Sequence, residues 1–126
     1  MNIQCFQEWL QAALPPGVTL LLGPWVDNEK DADRKFLSMY FDGGRPPGPA
    51  SRSAIIHLWY ASPRNGSTAN GGQLAALADV QAIDQFLSVL PYERPFANVV
   101  PITGIIGPKT ADGGRIVYTM TIEVTT

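Results

Sequence analysis

The chain has 126 residues, 45% of them hydrophobic and 16% charged, with a formal net charge of -2; this suits one folded domain, 1–126, and argues against global disorder or a basic grip on nucleic acid. A single cysteine, Cys5, and a single histidine, His57, exclude an intrachain disulfide framework and the common zinc constellations, so neither metal nor cofactor is expected. The 12 glycines and 11 prolines are dispersed without a period, which implies many turns and no low-complexity linker.

In chain order, Ile3, Phe6, Trp9, Leu10, Ala13 and Leu14 recur at helical spacing, and Pro15-Pro16 stops the run, so a first amphipathic helix is expected over 3–14. Val18 to Leu22, between Gly17 and Gly23-Pro24, predicts a short buried strand. The acidic stretch 27–33 reads as a solvated loop, because it lacks the glycine and distal glutamate of a calcium loop.

Lys35 to Phe41 and Arg52 to Ala61 follow as two extended segments, apolar on both alternating faces, as in central strands covered on two sides. Ile56, Leu58 and Trp59 are expected to be buried. Between the strands, Gly43, Gly44, Arg45, Pro46, Pro47, Gly48 and Pro49 cannot pair regularly, and the loop should project from the body.

Residues 63–72 form a connection of turn-forming composition, in which Asn65-Gly66-Ser67 matches a glycosylation acceptor by accident. Gln73 to Leu90 predicts the longest helix, with an apolar stripe of Ala76, Val80, Ile83, Leu87 and Leu90 and a stop at Pro91. Ala97 to Ile106 reads as a strand that Pro101 and Gly104 make an edge or irregular one, followed by a hairpin loop over 108–114. The last strand alternates cleanly: Ile116, Tyr118, Met120, Ile122 and Val124 on one face, Arg115, Val117, Thr119, Thr121 and Glu123 on the other. The expected fold is α+β: a single, mainly antiparallel sheet of about four or five strands with two helices packed on it and a long projecting hairpin loop.

Motifs for chemistry are absent. Gly104 to Thr110 mimics a phosphate loop but places Pro108 before Lys109 and leads into a turn, not a helix. Gly43-Gly44 is followed by prolines, so it lacks the helix N-terminus of an anion site. His57, amid an aromatic strand, reads as a packed residue; a base would need an orienting carboxylate such as Asp42 or Asp84. Cys5 has no second thiol within a redox spacing. Arg45, Arg52 and Arg64 could cluster if the hairpin joins its ends, and then meet the acidic 27–33 segment of a second copy. With no basic-then-apolar leader in Met1 to Glu8 and no run of roughly 18 apolar residues, assembly in a cytoplasm without membrane contact is expected.

The order of elements resembles the tail terminator family of long-tailed bacteriophages, also called tail completion or minor tail proteins. The resemblance rests on the helix ending at Leu14-Pro15, the two strands flanking the 42–51 loop, the helix ending Leu87-Ser88-Val89-Leu90-Pro91, and the final strands joined by Asp112-Gly113-Gly114-Arg115 and closing on Tyr118 to Val124. It implies a structural virion protein and no catalytic residues. Such proteins form a ring, usually a hexamer, at the head-proximal end of the tail. The ring caps the tail tube, ends its polymerisation and offers a docking surface to head-tail connector proteins, while DNA passes through the lumen without sequence-specific binding. Under this resemblance Gly43, Gly44, Arg45, Pro46, Pro47, Arg52 and Arg64 are the expected subunit or partner contacts, and shortening the loop should spare folding but damage assembly. The alternatives are a head-tail connector or adaptor and a small enzyme using His57.

Overall fold

The computed structural model describes residues 3–12, 14–23, 33–41, 48, 50, 52–64, 72–88 and 98–125. The elements run α1 (Ile3–Ala12), β1 (Val18–Leu22), β2 (Lys35–Phe41), β3 (Ser53–Ala61), α2 (Gly72–Ser88), β4 (Asn98–Thr110) and β5 (Ile116–Thr125). The strands form one five-stranded sheet in the order β1-β2-β3-β5-β4. β1 is parallel to β2, and every other pair is antiparallel. The α+β class, the single mainly antiparallel sheet and the two helices agree with the expectation from sequence.

Strand alternation sends one side of the sheet to the helices. Leu37, Met39 and Phe41 of β2 stand opposite Tyr60, Leu58 and Ile56 of β3, which stand opposite Tyr118, Met120 and Ile122 of β5. All nine are buried. Ala76, Val80, Ile83 and Leu87 of α2, spaced by four, three and four residues, lay their stripe on this face. Phe6 and Leu10 of α1 join the same core, and Trp9 packs on Phe86 of α2 with ring centroids 4.4 Å apart and the rings tilted by 37°. Each fully buried Leu, Ile or Phe stabilises the fold by about 1.5–3 kcal/mol relative to exposure. The two helices therefore form one layer.

The other face is covered unevenly. Phe36, Ser38, Ala61 and Val117 are buried at one end, whereas Tyr40 is exposed and Ile55, His57, Trp59, Thr119, Thr121 and Glu123 are partly exposed toward the other. Central strands covered along both faces are thus found over only part of their length, and Trp59 is half-buried while Ile56 and Leu58 are fully enclosed. Among the described residues, both helices lie on the opposite side.

Several boundaries differ from the sequence reading, and β3 begins at Ser53 rather than Arg52. α1 ends at Ala12, two residues before the expected stop, and α2 begins at Gly72. Val89 and Leu90 lie outside the described residues. β4 continues through Pro108 to Thr110, so part of the expected hairpin loop is strand. Gly107, at a φ of +137°, permits this: a Cβ there would sit 2.8 Å from the Val117 carbonyl oxygen, so only glycine brings β4 this close to β5. The remaining turn is short, with Gly114 N–H donating to the Ala111 carbonyl (3.1 Å) and Ala111 N–H to that of Arg115 (2.8 Å). The irregularity expected from Pro101 and Gly104 is present as three register shifts between Pro101 and Lys109. Of the projecting loop, only Gly48 and Ala50 are described, and both are exposed.

Candidate functional site

Gly43, Gly44, Arg45, Pro46 and Pro47 lie outside the described residues. Arg52 is exposed immediately before β3, whereas Arg64 follows β3 and packs its side chain along Gly113, where a Cβ would lie 3.1 Å from the arginine Cδ. The strand between them spans about 27 Å at a rise of about 3.4 Å per residue. Arg52 and Arg64 therefore sit at opposite ends of the sheet, and the expected cluster of these two arginines does not form. The hairpin could not join them because β3 separates its loop from the Arg64 turn.

His57 belongs to the face away from the helices. Its Nδ1 lies 3.1 Å from Thr121 Oγ1, its cross-strand neighbour, and its ring stacks on Tyr40 at 5.1 Å. Asp84 rides on α2, across the sheet, so a His57–Asp84 pair does not form; Asp42 lies outside the described residues. Cys5 is partly exposed on α1. No group of three or more His, Cys, Asp or Glu side chains able to hold a metal ion occurs among the described residues.

A polar site that the sequence reading missed lies on the helix side, where the starts of β2 and α2 meet the end of β3. Lys35 opens β2 on the core face, Tyr60 lies near the end of β3 on the same face, and Asp79 flanks the buried stripe of α2. Asp79 Oδ2 accepts from Lys35 Nζ at 2.8 Å and from the Tyr60 hydroxyl at 2.7 Å. Burial is the main reason the Tyr60 phenol is held protonated well above its ordinary range. The hydrogen bond to Asp79 and its negative charge add to the effect, as does Tyr118. Tyr60 is thus a fixed donor, and the ammonium of Lys35 balances the carboxylate.

These three residues border a cavity of about 330 Å³, also lined by Gly17, Asp33, Ser62 and the first turns of α2. The volume is at the lower end of the ~300–1,000 Å³ common for small-ligand sites. Among the described lining residues the charged side chains are Asp33, Asp79 and Lys35. Local sequence offers no motif for the site, because the bonded residues are 19 and 44 positions apart. The only signals were a carboxylate beside the apolar stripe of α2 and a lysine opening an apolar strand.

Arg115 braces the neighbouring strand ends. Sequence alternation put it on the face opposite Ile116 and Tyr118, where it is 0% exposed. Its Nη1 donates to the backbone carbonyls of Arg34 and Ser62, both at 2.7 Å, and its guanidinium lies 5.6 Å from the Phe36 ring centroid. Carbonyl bonding and the ring face offset part of the cost of burying this charge.

The third feature is an apolar surface along β4. This thirteen-residue edge strand carries Ile102 at 51% and Ile106 at 46% exposure. A groove of about 450 Å³ between it and α2 is lined by Leu77, Ile105, Pro108 and Tyr118 and by Leu74, which is 78% exposed. No helix among the described residues is long and apolar enough to cross a membrane. The chain matches no protein-family model, and no curated protein shows significant similarity to it.

Proposed function

We propose that the chain is a structural virion subunit that closes into a ring, caps a phage tail tube and presents a surface to the head. The observation that carries this reading is β4: a long edge strand, paired on one side by β5, with Val100, Ile102 and Ile106 turned to solvent and the Leu74 groove beside it. Exposed edges and exposed apolar side chains, here on both sides of one edge strand, are features that a second chain covers. Pro101 and Pro108 lack N–H groups and the ladder is interrupted, which favours side-chain packing over a continuous intermolecular sheet. An asymmetric contact of this kind, repeated head to tail, gives a ring when its rotation closes. The absence of a motif for catalysis in the sequence is compatible with work done by assembly. The hexamer, the tube and the connector come from the resemblance to tail terminators.

The test is to add the protein to tail tube protein as it polymerises and to measure tube lengths by electron microscopy. Capping predicts shorter tubes, each with extra density at one end. An unchanged length distribution and bare ends at saturating protein would overturn the reading.

A further inference from the structure

β4 is one edge of the sheet and β1 is the other, and among the described residues neither has a strand on its outer side. The ladder fixes which residues of the two edges share a level along the strands. Leu21 is level with Ile106 through Ser38, Trp59 and Thr119, and Thr19 is level with Lys109 through Phe36, Ala61 and Val117. β1 is therefore level with the part of β4 that borders the Leu74 groove. Leu22 closes β1 on the helix side, 52% exposed, at the level of Met120; this is one side-chain row, about 7 Å, from Tyr118 in the groove wall. Charge matches in the same way. Lys109 is the one charged residue of β4, and Asp33 lies beside the start of β1, where it shares a cavity wall with Gly17. Both are exposed at the same end of the sheet, and neither has a hydrogen bond or ion pair among the described residues. Within one chain they are kept apart by the intervening strands, at about 4.8 Å for each strand spacing.

We propose that the β1 edge of one copy packs against the β4 edge of the next, with Leu22 seated in the Leu74 groove, Leu21 against Ile106, and the Asp33 carboxylate accepting from Lys109 Nζ. The proposal rests on the self-assembly reading and names the surface that meets β4. Features at one level meet through a rotation about an axis parallel to the strands, with no shift along that axis. A rotation without a shift closes a ring, whereas a shift winds a filament. Apolar burial holds the two edges together, and the lysine–aspartate pair at the rim sets their register and excludes contacts that bring like charges together.

The experiment measures subunit association of the full chain by sedimentation velocity for the wild type, Leu22→Ser, Lys109→Glu, Asp33→Lys, the double variant Lys109→Glu with Asp33→Lys, and an equimolar mixture of the two single charge reversals. Circular dichroism checks folding in each; all three side chains are exposed, so the variants are expected to fold. Leu22→Ser and each charge reversal alone are expected to weaken association about tenfold or more. The double variant restores opposite charges at every contact. In the mixture, native and swapped pairs alternate from one copy to the next, so it too is expected to recover most of the loss. If any of the three single variants associates like the wild type, or either recovery fails, the β1–β4 contact is overturned, while an oligomeric wild type keeps the ring reading. A wild type that never associates overturns both.

Discussion

At the residue scale, the Tyr60–Asp79–Lys35 group ties the first half of α2 to two strands. Tyr60→Phe keeps the ring and removes one hydrogen bond to a carboxylate, so urea unfolding at pH 7 is expected to show a loss of about 1.5–3 kcal/mol. The raised phenol affinity for its proton also sets a pH dependence. Between the ordinary tyrosine value, about 10, and the higher folded value, the unfolded chain loses its proton first. The Tyr60 contribution is therefore complete below about pH 10 and declines as pH rises, by up to about 1.4 kcal/mol per unit. Comparing the alkaline limb of stability in the wild type and Tyr60→Phe isolates it, and the variant should fall less steeply. Arg115→Met tests the buried brace. The apolar chain fills similar space but strands the carbonyls of Arg34 and Ser62, and a loss of about 1–3 kcal/mol per group left without a donor is expected in the same unfolding assay.

At the element scale, β4 depends on a glycine. Gly107→Ala would place a methyl 2.8 Å from a backbone oxygen at a φ that side chains disfavour, so the β4–β5 hairpin must shift. A loss of about 1–3 kcal/mol in thermal or urea unfolding is expected, with Gly104→Ala, which meets open space, as the near-neutral comparison. The same strand shows where sequence is informative and where it is not. α2 and β5 were legible because Ala76, Val80, Ile83 and Leu87 keep a helical period and Ile116 to Val124 alternate, and each pattern repeats long enough to mark a buried face. The end of β4 was illegible because Pro108 and Lys109 look like a turn, and only the approach permitted at Gly107 keeps them in the sheet. Alternation gave Arg115 its face but not its burial, which is set by carbonyls 53 and 81 positions away. The cavity was hidden for the same reason.

At the scale of the whole molecule, the helices, the core and the Arg115 brace are satisfied within one chain, whereas the β4 edge and the Leu74 groove leave large apolar side chains in water. Among the described residues, the core is closed within one chain while these apolar side chains stay exposed. Ile102→Glu should leave the unfolding free energy within about 0.5 kcal/mol of the wild type, because the side chain is half-exposed, yet abolish assembly by placing a charge at the proposed interface. Size-exclusion chromatography with light scattering, alongside urea unfolding, checks both halves of that expectation. The claim on which the account turns is self-association, and the most direct measurement is the solution mass of the full chain over a wide concentration range, with negative-stain images of the same samples. The account predicts a discrete oligomer that images as a closed ring with an open lumen. A strict monomer at every concentration would contradict it.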